Sequence, residues 1–197
     1  MSKDKKFRLL LDAYPLQKLV KRNKIYLRLC SSILSQQLST TVARILFERF
    51  LSLYENDAPS TREILKTPVA TFRDIGFSNA KASYIHNVCQ FFIEKKLTDA
   101  NLHKLSNSAL IELLTQIKGV GRWTVEMLLI FTMQREDVYA YDDLGLRQGV
   151  IKLYNIAETD KKLLRQKVEK IALKWSPYRS YASLYLWQMA NEKLLGK

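Results

Sequence analysis

Two short stretches of the chain carry residue types able to do chemistry: "IKGVGRWTVEML", Ile117 to Leu128, and "VYAYDDLGLRQGV", Val138 to Val150. In the first, Gly119 and Gly121 flank Val120 just before a helix-forming run. Glycines there allow positive φ and let an anion approach backbone amides, and the helix start adds unpaired N–H groups and a positive dipole end. Such a unit grips one phosphate without reading a base. A tight helix–helix turn with no ligand explains "GVG" equally well. Trp123 is the unusual residue, a large indole just past the turn. In the second stretch Asp142 and Asp143 precede another helix, where a carboxylate could activate water or stabilise positive charge in a transition state. The commoner role of an aspartate there is an N-cap. Metal chemistry has little support: Cys30 and Cys89 are far apart and outside any C-x-x-C pattern, and His86 and His103 lack metal-like company.

The elements that must position these residues are helices. In "TVARILFERFLSLY" the apolar residues Val42, Ile45, Leu46, Phe50 and Leu53 recur every three to four positions. Leu163, Leu164, Val168, Ile171, Ala172 and Trp175 mark one face of a later helix, with basic residues mostly on the other. "STRE" from Ser60 to Glu63 has the form of a capping box, and Thr159-Asp160 precedes the later helix. Breakers fall between the runs, and no stretch alternates long enough to demand a strand. The pattern predicts an all-α protein of about ten helices joined by short loops.

The chain has 197 residues, 47% of them hydrophobic, enough for one domain or two small lobes. Lysine and arginine outnumber acidic residues 32 to 19, a formal charge of +13 that favours a polyanionic partner. Lys18, Lys21, Arg22, Lys24 and Arg28 cluster near the N-terminus. The longest apolar run, Met127 to Phe131, is far too short to span a bilayer, and no secretory signal opens the chain. A protein inside the cell, with buried free thiols and no membrane partner, is expected.

The pattern L-x-x-I-x-G-V-G-x-x-T resembles the helix–hairpin–helix element of DNA repair glycosylases. "VYAYDDLGLRQGV" resembles the aspartate segment that gives the helix–hairpin–helix-Gly/Pro-Asp superfamily its name, although the stretch from Thr132 to Tyr141 lacks that glycine and proline. "SSILSQQLSTTVA" (Ser31–Ala43) is similar to the family's first helix and loop. "GFSNAKASYI" (Gly76–Ile85) and "KWSPYRSYASLYLW" (Lys174–Trp187) resemble segments of its 3-methyladenine DNA glycosylase II branch. Too few residues precede Ser31 for the N-terminal β-rich domain that inducible bacterial members often carry, so the compact form of the branch is expected.

The resemblance implies an all-α fold of two helical lobes flanking a DNA-binding cleft, with residues 1–37 and 133–197 in the terminal lobe. Residues 38–132 would form the central lobe, ending in the hairpin. It implies hydrolysis of the bond between an alkylated purine, of the 3-methyladenine or 7-methylguanine type, and deoxyribose in double-stranded DNA. Asp143 matches the catalytic position, which leaves Asp142 as the cap or a supporting residue. Gly119, Val120, Gly121, Arg122 and Thr124 would contact DNA. The loop of Gln36, Gln37 and Leu38 would supply the wedge that fills the gap left by an extruded nucleotide; a core position for Leu38 is the plainer alternative.

Trp123 stands where lyase relatives carry a lysine nucleophile, which implies a monofunctional enzyme with water as nucleophile. Trp123 and Trp187 would line the base pocket, with Met127 one turn beyond and with Tyr141 or Tyr14 adding aromatic surface; core packing is the alternative for the tryptophans and the reading taken for Trp175. Indole faces attract cationic bases by ~0.5–2 kcal/mol. No organic or redox cofactor is implied; family analogy allows a Na⁺ or K⁺ held by the hairpin carbonyls of Ile117 and Gly119 when DNA binds. A monomer is expected, cytoplasmic in a bacterium or archaeon and nuclear in a eukaryote. Two rivals stand beside this reading: a bifunctional glycosylase/lyase, for which Lys118 is the nearest amine, and a non-catalytic helix–hairpin–helix DNA-binding module.

Overall fold

Apolar periodicity and side-chain caps divide the chain into helices. The computed structural model describes Met1 and residues 4–195, and contains twelve helices and no strand among them. They are α1 (Lys5–Ala13), α2 (Ile25–Ser35), α3 (Thr40–Leu51), α4 (Thr61–Lys66), α5 (Val69–Asp74) and α6 (Asn79–Glu94), followed by α7 (Asp99–His103), α8 (Asn107–Leu114), α9 (Arg122–Phe131), α10 (Leu144–Tyr154), α11 (Lys161–Leu173) and α12 (Arg179–Leu195). The excess over the expected ten comes from α4, α5 and α7, which at six, six and five residues are too short to show a periodic face. The capping box forms as predicted, with Ser60 Oγ accepting from Glu63 N–H at 3.2 Å and Glu63 Oε2 accepting from Ser60 N–H at 2.8 Å. Asp160 caps α11 through Leu163 N–H at 2.8 Å.

The helices fall into two units, one of Met1–Lys21 with Leu129–Lys197 and one of Arg22–Leu128. The first break therefore lies at 21/22 rather than the expected 37/38. The reason is α2, which packs on α3 and α6 and so belongs with the central helices. In that central unit Phe50, Phe72 and Phe77 form one aromatic cluster, with Phe72 5.7 Å from each of the other two. Cys30 and Cys89 are free and buried in the same core. The apolar face read for α3 is only half used: Leu46 and Phe50 are buried, while Val42 and Ile45 are exposed. In the terminal unit Trp175 is fully buried, 5.0 Å from Phe7, which matches its reading as a packing residue.

The loop from α9 to α10 leads to Asp143 without the expected glycine and proline, and polar staples replace them. Gln134 adopts φ 58°, the left-handed turn a glycine would make freely, and its amide donates to Leu19 O at 3.0 Å. Ser180 at the start of α12 is fully buried; its hydroxyl donates to Arg135 O at 2.6 Å and accepts Val138 N–H at 3.0 Å. Beside it Arg179 grips Asp137 with two bonds, Nε to Oδ1 at 2.6 Å and an outer nitrogen to Oδ2 at 2.9 Å. Ser176 Oγ adds a third donor at 2.9 Å. The polar residues of the "SPYRS" stretch thus hold the aspartate loop.

Arg179 holds the Asp137 carboxyl below the ordinary aspartate range, outweighing partial burial, with Ser176 assisting. A depressed native pKa stabilises the fold at pH values above the unfolded value, and that contribution disappears as pH falls through the native one. Asp137→Asn should cost about 2 kcal/mol at pH 7. The Tm gap from wild type should be full at neutral pH and close progressively below about pH 4. Thermal melts from pH 7 to pH 2.5 test this; a gap independent of pH would assign the loss to something other than the ion pair.

Candidate active site

The terminal unit positions Asp143 through the start of α10. Asp143 is itself the N-cap, its Oδ1 accepting Leu146 N–H at 2.9 Å. Of the two roles left open for Asp142, cap or supporting residue, the cap is thus taken by Asp143. Asp142 is exposed and reaches Arg165 at 3.6 Å instead, because the cap position belongs to the last residue before the helical turn. The same Oδ1 accepts the indole N–H of Trp187 at 3.0 Å. Two donors converging on one oxygen fix the plane of the carboxylate. Trp187 is half-buried and packs on Phe131, ring centroids 5.3 Å apart. A methyl at Gly145 would crowd Asp143 Oδ1 at 3.3 Å and meet the Trp187 ring at an ordinary contact distance of 3.5 Å.

Two residues that sequence reasoning passed over join this group. Phe131, read only as part of an apolar run, is 45% exposed and offers its ring beside Trp187. Tyr139 stands close enough to Asp143 to sense its charge: burial first, then that negative charge, push the phenol pKa well up. Its odd-numbered alternation with Tyr141 and Asp143 was visible in "YAYDD", but nothing in the sequence marks which tyrosine faces inward. Tyr141 does not lie open as a stacking surface. Arg165 sits over its ring at 4.3 Å and Arg147 at 5.9 Å, so cationic side chains already use the π system expected for a base. These two arginines, Lys161, Lys162 and Leu164 line a basic hollow of about 720 Å³ with Tyr141.

The central unit carries the hairpin. α8 ends at Leu114, and α9 begins at Arg122 with Gly121 O accepting Val125 N–H at 3.2 Å. Between them Val120 N–H closes a turn on Ile117 O at 2.9 Å, and Gly119 holds φ 102°. Gly119 is required twice over. Its backbone lies in the left-handed region, and a Cβ there would put three carbons of Tyr84 within 2.7 Å. At Gly121 an added Cβ would meet nothing within 4 Å, so the protein's own packing does not call for glycine at that position. Val120 and Thr124 are buried, whereas Gly121, Arg122 and Trp123 are exposed. Arg122 is exposed and bonded one turn along to Glu126, Nε to Oε1 at 2.9 Å. Trp123, 39% exposed, is no core residue. Met127, half-buried, lies four residues on along the same side of α9.

The loop after α2 is tied to that hairpin. Gln36 caps α2 and its amide donates to Gly119 O at 3.3 Å. Asn87 of α6 donates to Lys118 O at 3.2 Å. Gln37 adopts φ 58°, a left-handed conformation that costs a residue other than glycine roughly 1–2 kcal/mol. Leu38 is 38% exposed, which sets aside its reading as a core leucine. Of the N-terminal basic cluster, Lys24 is committed to structure, its ammonium donating to Ala58 O at 2.8 Å.

Comparison with known proteins places these features in a family. Residues 30–174 match the model of the HhH-GPD superfamily base excision DNA repair proteins. The chain is 36% identical over 174 residues to DNA-3-methyladenine glycosylase 1 of Schizosaccharomyces pombe, covering 87% of this chain and 75% of that protein. It is 32% identical to the DNA-3-methyladenine glycosylase of Saccharomyces cerevisiae, over 84% of this chain and 67% of the other. The structure of the S. pombe 3-methyladenine DNA glycosylase in complex with abasic DNA superposes with a TM-score of 0.83, at 34% identity, covering 95% of this chain and 92% of that one.

The two hairpin glycines should separate under substitution. Gly119→Ala should lower stability by at least about 1 kcal/mol, from strain at positive φ and the clash with Tyr84. Gly121→Ala should leave the denaturation midpoint within about 0.5 kcal/mol of wild type. Chemical denaturation of both variants tests the pair, and equal losses would contradict the distinction.

Proposed function

Given that the chain belongs to the HhH-GPD superfamily of base excision DNA repair proteins, we propose that it is a monofunctional DNA glycosylase that releases alkylated purines from double-stranded DNA by hydrolysis. The observation carrying this reading is the double grip on Asp143 Oδ1 by Leu146 N–H and the Trp187 indole. A carboxylate so fixed can face a sugar that develops positive charge without first reorganising. In the reaction, water oxygen forms a bond to the anomeric carbon as the glycosidic C–N bond breaks. The bonding pair leaves with the base. An N-alkylated purine departs neutral, so no strong general acid is needed, and the proton of the water passes to Asp143 or solvent.

The remaining residues take supporting roles. The hairpin backbone around Gly119–Gly121, with the first turn of α9, binds a DNA phosphate. Gln37 and Leu38 enter the stack when the target nucleotide leaves it. Trp187 offers a π face to a cationic base, with Phe131 beside it in place of Tyr141. Trp123 cannot form the Schiff base that a lyase needs. Ile117 O accepts Val120 N–H and Gly119 O accepts Gln36, so each keeps one lone pair for an alkali cation, whose other oxygens would come from the DNA phosphate and water. Among the described residues no helix is long and apolar enough to cross a membrane, and the protein acts on DNA as a monomer.

Base release from methylated DNA tests the reading. Wild type should free 3-methyladenine or 7-methylguanine, and Asp143→Asn should reduce the rate at least about 100-fold. Asparagine Oδ1 can keep both hydrogen bonds, so that loss reports charge and not a collapsed helix cap. Trp187→Phe keeps a ring but removes the indole donor, and should cost about tenfold in kcat with little change in Tm. A wild-type protein that frees neither base sinks the reading, whereas an active Asp143→Asn sinks only the assignment of the carboxylate. Borohydride should trap no covalent complex on damaged DNA; trapping would restore the lyase alternative.

A further inference from the structure

The α2 helix ends where the loop of Gln37 and Leu38 begins, and its terminal carbonyls can be accounted for one by one. Ser32 O accepts Ser35 Oγ at 2.8 Å, Ile33 O accepts Gln36 N–H at 3.3 Å, and Ser35 O accepts Leu38 N–H at 3.2 Å. Among the described residues Leu34 O has no such local donor. It is met by the ammonium of Lys81, on α6, at 2.7 Å, and the same ammonium donates to Gln36 O at 2.9 Å. One cation therefore closes the helix end and holds the residue immediately before the left-handed Gln37.

Lys81 is the first of three contacts made by one side of α6. Tyr84, a turn on, packs against Gly119 so closely that no other residue fits there. Asn87, a further turn on, donates to Lys118 O. Gln36 then joins the two loops directly through Gly119 O. The stretch "GFSNAKASYI" thus has a job in the structure: its helix is the bed on which both loops lie. Burial lowers the Lys81 pKa from the ordinary lysine value, a desolvation cost that the two carbonyls offset.

We propose that Lys81 is a positioning residue for base extrusion: by clamping Leu34 O and Gln36 O it sets the loop of Gln37 and Leu38 in fixed register with the phosphate-binding hairpin, so that gripping the backbone and entering the base stack occur as one rigid event. The proposal rests on the glycosylase reading for its consequence and on unbound geometry for its cause. Lys81 touches no substrate; it acts through the loop. A loop freed from the clamp would relax the left-handed Gln37 and lose its alignment, and misplacement by about 1 Å can cost up to a hundredfold in rate.

The test uses the full chain with Lys81→Met, which keeps the stem and removes the donors, and Lys81→Arg, which restores a cation. In the free protein, amide hydrogen exchange of residues 35–39 should quicken at least about tenfold in Lys81→Met, while the α6 interior around Val88 and Cys89 keeps its protection. Single-turnover release of methylated purine should fall about tenfold or more, with affinity for undamaged duplex changed less than about threefold, and Lys81→Arg should recover part of the loss. Should Lys81→Met fail to fold, Gln36→Met breaks the bridge to Gly119 with Lys81 intact and should uncouple exchange in the two loops. Unchanged exchange at 35–39, or unchanged single-turnover release despite faster exchange, overturns the proposal. A wild-type protein that releases no base is a different failure, of the glycosylase reading, and the exchange comparison then decides the clamp alone.

Discussion

Every helix leaves backbone N–H groups unpaired at its start and carbonyls unpaired at its end, and the residues proposed for the site stand on those ends. Asp143 caps α10, Gly121 opens α9, and Gln36 closes α2. Asp143 shows the economy: its Oδ1 serves Leu146 N–H and the Trp187 indole together. A cap and a catalytic carboxylate are usually weighed as rival readings of one aspartate. Under the proposed function the capping geometry is what aims the carboxylate.

The helix α2 carries the constraint furthest, because neither end is closed from its own sequence alone. At its start no local side chain caps, and Asp99 accepts Lys24 N–H at 2.6 Å and Ile25 N–H at 3.0 Å from 75 and 74 residues away. At its end Lys81 donates from 47 and 45 residues away. A carboxylate at the positive end and an ammonium at the negative end match the helix dipole. Both partners lie in the same unit as α2, which is also why the chain divides before this helix rather than after it.

The contrast explains what could be read in advance. Local rules depend on neighbours three or four residues apart, so the capping box at Ser60, the Asp160 cap, the buried Trp175 and the helical character of the whole chain were legible. The glycine pair, the aspartate segment and the loop of Gln37 were legible as motifs. Short helices without a periodic face were not, nor was any contact between distant residues. Tyr141 and Tyr139 sit two residues apart with the same type, yet one lies under Arg165 and the other is half-buried near Asp143. Nothing in "YAYDD" separates them. The missing glycine before the aspartate was a false warning: Gln134 takes the left-handed turn, and Ser180 and Arg179 supply the bonds that hold it.

These placements divide recognition from reaction. In the proposed complex the hairpin grips a phosphate through backbone at the exposed Gly121 and the start of α9, and backbone groups distinguish a phosphate from solvent but not one base from another. Selectivity for a damaged base must then come from side chains that sense charge and shape. Aromatic faces suit that task, because a cationic purine gains from a π surface an attraction that a neutral purine lacks. The same positive charge weakens the glycosidic bond, so one property of the lesion serves both its selection and its cleavage. A single well-oriented carboxylate is then sufficient chemistry, and the structural effort goes into holding it still.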